Sequence, residues 1–258
     1  MKLSDTKRGS KLSVLLIGYP GEGKSIAAAS FPKPIYIFDL DQRINSLLRF
    51  FPNAADIEYD HYGPDEYGKL DAKIKQIQAG NAPFKTYILD SLTALARMAI
   101  NYSINIRGGG KGSVAKGVIQ MTTVDDFNAE SRILSVAMDT FRSPNFKSNF
   151  IMTAHLVETN VKSLNEPDTV LQRLLTGGKS IAAEIPGYFD EAYYIYKDVD
   201  AFTNTIKYKM STVPKNGIKT KTALPLSKEI DFTMEKEGDP GLYQKIQEEC
   251  KKGGVEIG

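Results

Sequence analysis

Gly18-Tyr19-Pro20-Gly21-Glu22-Gly23-Lys24-Ser25 fits the pattern Gly-x-x-x-x-Gly-Lys-Ser in full. Each residue type has a task at its position. The glycines let the backbone turn tightly, so that successive N–H groups converge on one point. A helix starting just beyond them adds the positive end of its dipole. Such a cradle suits an anion with several oxygens. Lys24 adds a charge that reaches β- and γ-phosphates, and the Ser25 hydroxyl suits Mg²⁺ held between those phosphates. Gly18, Tyr19, Pro20, Gly21, Glu22, Gly23, Lys24, Ser25 and Ile26 are therefore expected to bind a nucleoside triphosphate, ATP first of all.

Phosphate chemistry needs two more groups. Mg²⁺ takes a second protein ligand, usually a carboxylate at a neighbouring strand end. Asp90, which closes Tyr87-Ile88-Leu89-Asp90, fits that place, and it could also cap the helix that follows. A base must then orient the attacking water. Asp41 leads for this role because it stands just beyond the apolar run Ile35 to Phe38, with Asp39 as the rival. A solvated cap carboxylate is the plainer reading of either.

These residues require strands that end beside one another. Val14 to Ile17 reads as a buried strand running into the glycine loop, and Ser25 to Ser30 as the helix after it. Further strands are expected at 34–38, 55–59, 86–89, 149–153 and 192–196, and an antiparallel partner of the last at 205–211. Helices are expected at 45–50, 67–78, 92–105, 124–141, 180–185 and 239–252. Leu156 to Thr176 shows little periodicity and reads as a long loop. Strands alternating with helices predict a mostly parallel α/β sheet flanked by helices, with antiparallel strands toward the C-terminus. The expected organisation is a polar, flexible segment at 1–11, a core at 12–215, and an extension at 216–258 packing on that core.

Composition narrows the class further. Hydrophobic residues at 41% and charged residues at 25% are ordinary for a globular chain with a core of its own. The single cysteine, Cys250, excludes an internal disulfide, and two distant histidines, His61 and His155, argue against zinc. The start of the chain has no apolar signal core and no apolar run spans a membrane, so the cytosol is the expected compartment. A net charge of +2 leaves nucleic acid to local clusters.

Together the strand ends resemble the ATPase core of RecA/RadA-like recombinases: Phe-Asp-Leu-Asp, Ile-Leu-Asp-Ser, Met-Thr-Ala-His, then Gly177-Gly178 before a helix. The later run Gly-Gly-Lys-Ser, Glu-Ile-Pro-Gly-Tyr-Phe-Asp-Glu and an aromatic strand is similar to phage-encoded, minimal RecA-like proteins of the single-strand annealing type. The resemblance covers about residues 12–215. It implies a catalytic acid at Asp41, where that family usually has Glu, the Mg²⁺ carboxylate at Asp90, and a polar γ-phosphate sensor at His155. It also implies single-stranded DNA as partner, self-assembly into a filament or ring, and a single-strand-binding protein as a further partner. The short chain suits annealing better than complete strand exchange.

Two stretches could meet DNA. Arg107 to Gly117 carries three cations, Arg107, Lys111 and Lys116, and no acid. Its glycines allow close approach to phosphates. A flexible linker is the bland alternative. The second stretch, Leu156 to Thr176, holds Lys162 and Arg173 but also three acids; its place after His155 is the better argument. Lys207, Lys209, Lys215, Lys219 and Lys221 form a third basic stretch, readable as DNA contacts, as cations offered to a neighbour's ATP, or as lysines guarding an edge strand. Two rival classes stay open: a nucleotide or small-molecule kinase, and a switch that uses ATP to control assembly of a protein partner without DNA.

Overall fold

The computed structural model describes residues 11–80, 82–107, 122–161, 169–215 and 217–257. Its strands are β1 (Ser13–Gly18), β2 (Ile35–Asp39), β3 (Ile57–His61), β4 (Thr86–Asp90), β5 (Asn149–Val161), β6 (Thr169–Leu174), β7 (Glu191–Val199), β8 (Ile206–Ser211) and β9 (Glu229–Asp231). Its helices are α1 (Lys24–Ala29), α2 (Tyr67–Gln78), α3 (Leu92–Arg107), α4 (Val124–Arg142), α5 (Lys179–Glu184) and α6 (Leu242–Lys252). The sheet runs β3-β2-β4-β5-β1-β7-β8-β9, and β6 pairs with β5 off this path. β3 through β7 in that order are parallel, whereas β8 and β9 run antiparallel. This is the fold class expected from the sequence, a mostly parallel α/β sheet flanked by helices with antiparallel strands at its C-terminal end.

Why the strands are apolar without a break follows from what covers them. Side chains alternate between the two faces of a sheet, and here both faces are buried. Leu15 and Ile17 enter one core with Phe38, Leu89, Phe150 and Met152. Val14 and Leu16 enter the other with Ile37, Ile88, Ile151 and Ile195. α2, α3 and α4 cover the first face; α1 and α6 cover the second. Phe141 of α4 stacks on Phe150 of β5, ring centres 4.0 Å apart. Residues 217–257 supply β9, which extends the sheet, and α6, whose Leu242, Tyr243, Ile246 and Cys250 are buried in the second core.

Three features depart from the sequence reading. Residues 156–174 are not a structureless loop. β5 continues past His155, and Leu156 to Val161 pairs antiparallel with Thr169 to Leu174, making a two-stranded arm. Its alternation Val157, Thr159, Val161 is a strand signal, but three interspersed polar residues obscure it. Second, β8 is not the sheet's edge: β9 pairs with it at Lys209 to Ser211. Third, the helix expected at 45–50 is a single 3-10 turn, Ile44–Leu47.

The Gly177-Gly178 pair is fixed by a residue with no obvious role in the sequence. Glu130, buried in α4, accepts hydrogen bonds from the N–H groups of Gly177 (2.8 Å) and Gly178 (2.7 Å). A Cβ on Gly177 would lie 2.6 Å from Ile100 Cδ1, so a side chain there would force Ile100 to shift. Burial raises the Glu130 carboxyl pKa, and the two N–H donors oppose that rise. Glu130→Ala would leave two N–H groups without their carboxylate and empty a buried side-chain position. It is expected to lower unfolding stability by about 2–4 kcal/mol, read from denaturant unfolding; a loss under about 0.5 kcal/mol would remove this clamp from the fold's stability.

Candidate nucleotide site

The parallel register delivers the chemistry to one rim. Gly18 ends β1 opposite His155 on β5, and Asp39 ends β2 opposite Asp90 on β4. The carboxyl ends of parallel strands, where loops diverge, are where α/β sheets bind ligands. β5 lies between the glycine-loop strand and the Asp90 strand, so its own side chains meet both.

The loop has the geometry its glycines foretold. Gly23 adopts φ +87°, a left-handed conformation that side chains resist. A Cβ there would also lie 2.7 Å from the Tyr208 ring of β8. Glu22 folds back to accept the Tyr19 N–H at 2.7 Å, which braces the turn. Lys24 is buried, and its ammonium donates to the carbonyls of Gly18 (3.0 Å) and Tyr19 (2.8 Å). Tyr19 also reaches outward: its hydroxyl donates to Glu158 of the β5 arm at 2.8 Å.

Three oxygen-bearing side chains, Ser25, Asp90 and Thr153, cluster beside the loop. The Ser25 hydroxyl donates to Asp90 Oδ2 at 2.6 Å, and the Thr153 hydroxyl donates to Asp90 Oδ1 at 2.5 Å. Burial raises the Asp90 pKa; the two hydroxyls and the nearby Lys24 charge oppose it. All three are oxygen donors of the kind Mg²⁺ takes, few enough to leave places for phosphate oxygens and water. Among the described residues no group of three or more His, Cys, Asp and Glu forms a ready-made metal cage. The donor set therefore fits a cation that arrives with a phosphate.

The two candidate bases differ sharply. Asp39 is buried and already engaged: it accepts from the N–H groups of Arg43 (3.1 Å) and Ile44 (3.3 Å) and pairs with His61 Nδ1 at 2.8 Å. Asp41 lines the cleft, and its Oδ2 lies 3.0 Å from His155 Nε2. Burial would raise the Asp41 pKa, yet hydrogen bonds from His155 and Ser91 hold it below the usual carboxylate value. The cleft has a volume of about 360 Å³, and Lys24, Ser25, Asp41, Asp90 and His155 all line it. Sequence reasoning missed Thr153, Tyr208, Arg43 and Arg49. Arg43 and Arg49 line the same cleft as two exposed cations, and Tyr208 closes it beside Gly23. Thr153 had a signal, a lone polar residue ending an apolar strand. The others had none, since exposed arginines and a strand tyrosine are common.

Of the DNA candidates, Arg107 and Arg173 lie within the described residues. Lys111, Lys116 and Lys162 lie outside the described residues. Arg107 ends α3 with its guanidinium 2.7 Å from the buried Asp126 carboxylate. Arg173 sits in β6, paired through its backbone with Val157. Among the described residues no helix is long and apolar enough to cross a membrane.

Lys24 makes the cleft sensitive to pH. Burial pulls its pKa down to about 8, against the attraction of Asp90, Glu22 and Asp41. A polyphosphate stabilises the ammonium form, so above pH 8 binding must take up a proton. ATP affinity is expected to be flat below pH 7 and to weaken by up to ~10-fold per pH unit above 8. Calorimetric titration across pH checks this, and an affinity constant up to pH 9.5 would sink it. The sign for stability is opposite. The unfolded lysine keeps its proton to its ordinary 10.5, so this group adds stability as pH rises from 8 to 10.5.

A glycine-loop cradle on a parallel α/β sheet, with a lysine, a hydroxyl and a carboxylate converging on it, defines a P-loop nucleotide-binding protein. Residues 10–224 match a family described as an AAA domain, and the chain belongs to that family. No curated protein matches the chain by sequence. Among solved structures it is similar to the flagellar accessory protein FlaH from Methanocaldococcus jannaschii. The two are 12% identical over 88% of this chain and 87% of that one, with a TM-score of 0.40. It is also similar to a KaiC-like protein from Pyrococcus horikoshii, 16% identical over 89% and 87%, with a TM-score of 0.43.

Proposed function

We propose that this protein is a Mg²⁺-dependent ATP hydrolase that binds single-stranded DNA as a homo-oligomer and promotes annealing or recombination of phage DNA in a host cytoplasm. The observation that carries the hydrolase is the convergence of Lys24, Ser25, Asp90, Asp41 and His155 on one cleft. Lys24 leaves the Gly18 and Tyr19 carbonyls for the β- and γ-phosphates. Ser25 and Asp90 would hold Mg²⁺, and Thr153 keeps the Asp90 carboxylate oriented. Mg²⁺ held there would neutralise charge on the phosphate oxygens. Asp41, fixed by His155 and Ser91, orients water and accepts its proton.

His155 begins the β5–β6 arm, and Tyr19 of the glycine loop bonds to Glu158 on that arm. A change at the γ-phosphate therefore has two short routes to the arm. DNA is assigned to Lys111 and Lys116 of the 107–117 stretch, and to Lys162 and Arg173 of the arm. Support for DNA comes from the cation- and glycine-rich sequence, and from the resemblance to annealing proteins. Arg107 contributes less, because Asp126 already engages it. Of the domain limits, 12–215 as core and 216–258 as an extension are part of the same reading. A single-strand-binding protein is the further partner.

ATPase measured with and without single-stranded DNA, across salt, tests the whole. Turnover should rise with DNA, and affinity should fall steeply with salt. Lys111→Ala with Lys116→Ala should flatten the slope of log K against log salt by roughly 1.4, two contacts at about 0.7 each. Basal ATPase should survive that change. Turnover indifferent to DNA would end the DNA reading. Stimulation by a small acceptor would instead indicate a kinase, and stimulation by a protein alone an assembly switch.

A further inference from the structure

The hairpin joining β7 to β8 ends in a small apolar knob. Phe202 at its tip is 99% exposed, and Val199 and Ile206, a cross-strand pair just below it, are also exposed. The turn is held firmly. Asp200 accepts from the N–H groups of Phe202 and Thr203, both at 2.9 Å, and its own N–H and carbonyl bond to Thr205 and Asn204. A fully exposed phenylalanine on a braced turn is costly to leave in water, about 2 kcal/mol when compared with burial.

Apart from the knob lies a groove of about 710 Å³, larger than the nucleotide cleft. Phe31, Phe51, Met234 and Tyr243 line it, with Glu237 and Asp239 beside them. The exposure of Phe202 shows that the knob does not sit in its own chain's groove. The charges complement one another. Residues 197–209 hold three lysines and two aspartates, whereas residues 235–239 hold two glutamates, one aspartate and one lysine. Lys209 already pairs with Asp198 and Lys197 lies at the glycine loop over the Tyr208 ring, which leaves Lys207 to face an acidic rim.

We infer that the Phe202 hairpin of one copy docks in the Phe31–Tyr243 groove of the next. Knob and groove are different surfaces, so the contact is head-to-tail, and it closes into a ring or runs on as a filament. This rests on the self-assembly part of the proposed function and names its contact. It also ties neighbouring nucleotide sites together. Phe50 lines both the groove and the nucleotide cleft, so a seated knob presses on the wall that carries Arg43 and Arg49. The knob's own strands begin over the glycine loop, where Tyr208 packs on Gly23 and Lys197 stands within 5.8 Å of the Tyr208 ring.

Sedimentation of the full chain with ATP and Mg²⁺ tests this. The parent should assemble with rising concentration. Phe202→Asp, and the milder Phe202→Ala, should raise the dissociation constant by about 30-fold, the loss of one buried aromatic anchor. Gln244→Trp, at an exposed position in the groove, should do the same by filling the recess. Each variant keeps one good surface. An equimolar mixture of Phe202→Asp and Gln244→Trp should therefore form a 1:1 pair and stop, at twice the 28.5 kDa chain mass. Unchanged thermal unfolding of the single variants guards against misfolding. If Phe202→Asp assembles as the parent does, self-assembly stands and this contact falls. A parent that stays monomeric overturns both. Should Phe202→Asp lose single-stranded DNA while assembling normally, the knob is a base-stacking element, and the inference is wrong.

Discussion

Replacing Lys24 by Ala, or Asp90 by Asn, should reduce ATP turnover by ~10³-fold or more while leaving the fold intact. The size follows from charge development on a transferring phosphoryl group, where losing one preorganised partner costs 10²- to ~10³-fold. The two changes act differently. Lys24→Ala removes the charge aimed at β- and γ-phosphates, so affinity and turnover should fall together. Asp90→Asn keeps an oxygen for one of the Ser25 and Thr153 hydroxyls, and the other can turn to accept from its amide, but it loses the charge that would hold Mg²⁺. Its ATP affinity should become insensitive to Mg²⁺ while turnover vanishes. Desolvation raises the Asp90 pKa, so removing its charge should not cost stability. Circular dichroism with steady-state kinetics over a Mg²⁺ series decides this. Either variant turning over at a tenth of the parental rate would displace its residue from the phosphate chemistry.

Asp41→Asn and Asp39→Asn should separate cleanly. Asp41→Asn is expected to bind ATP as the parent does and to lose 10²- to ~10⁴-fold in turnover, the usual contribution of a positioned base. Its stability should change little, because Asp41 lies at the cleft and its partners, His155 and Ser91, keep access to it. Asp39→Asn should do the reverse. Asp39 is buried and holds Arg43 and Ile44 by their N–H groups. An amide offers one acceptor oxygen where the carboxylate offered two, so stability should drop by about 1–3 kcal/mol. Turnover per folded molecule should stay near normal. Equilibrium unfolding beside single-turnover hydrolysis measures both. Parental turnover in Asp41→Asn would return the assignment to Asp39.

The same stretch, Phe38-Asp39-Leu40-Asp41, shows where sequence reading stopped. Both carboxylates follow one apolar strand, and nothing in their order says which is engaged. The difference comes from His61 and His155, which are 94 positions apart and lie on two other strands. Neighbouring parallel strands put His61 against Asp39, and the folding of the Leu40 and Asp41 N–H groups onto the Asp90 carbonyl turns Asp41 toward His155. The arm was hidden for another reason. Residues 156–161 pair only with 169–174, and their polar side chains give too little contrast for alternation to be read.

What the sequence determined by itself was local and periodic. The glycine spacing made the loop, since only glycine adopts φ +87° at Gly23 at small cost. Unbroken apolar runs at 14–17, 35–38 and 87–89 required a sheet covered on both faces, and that required helices between the strands. Tertiary structure alone decided which distant residues meet. It placed Thr153 on Asp90, His155 on Asp41, Tyr208 on Gly23 and Glu130 under Gly177 and Gly178. The physical reason is that a local sequence carries backbone preference and the pattern of burial, whereas strand order and register are set by the whole core at once. A one-residue slip would send every side chain of a strand to the other face.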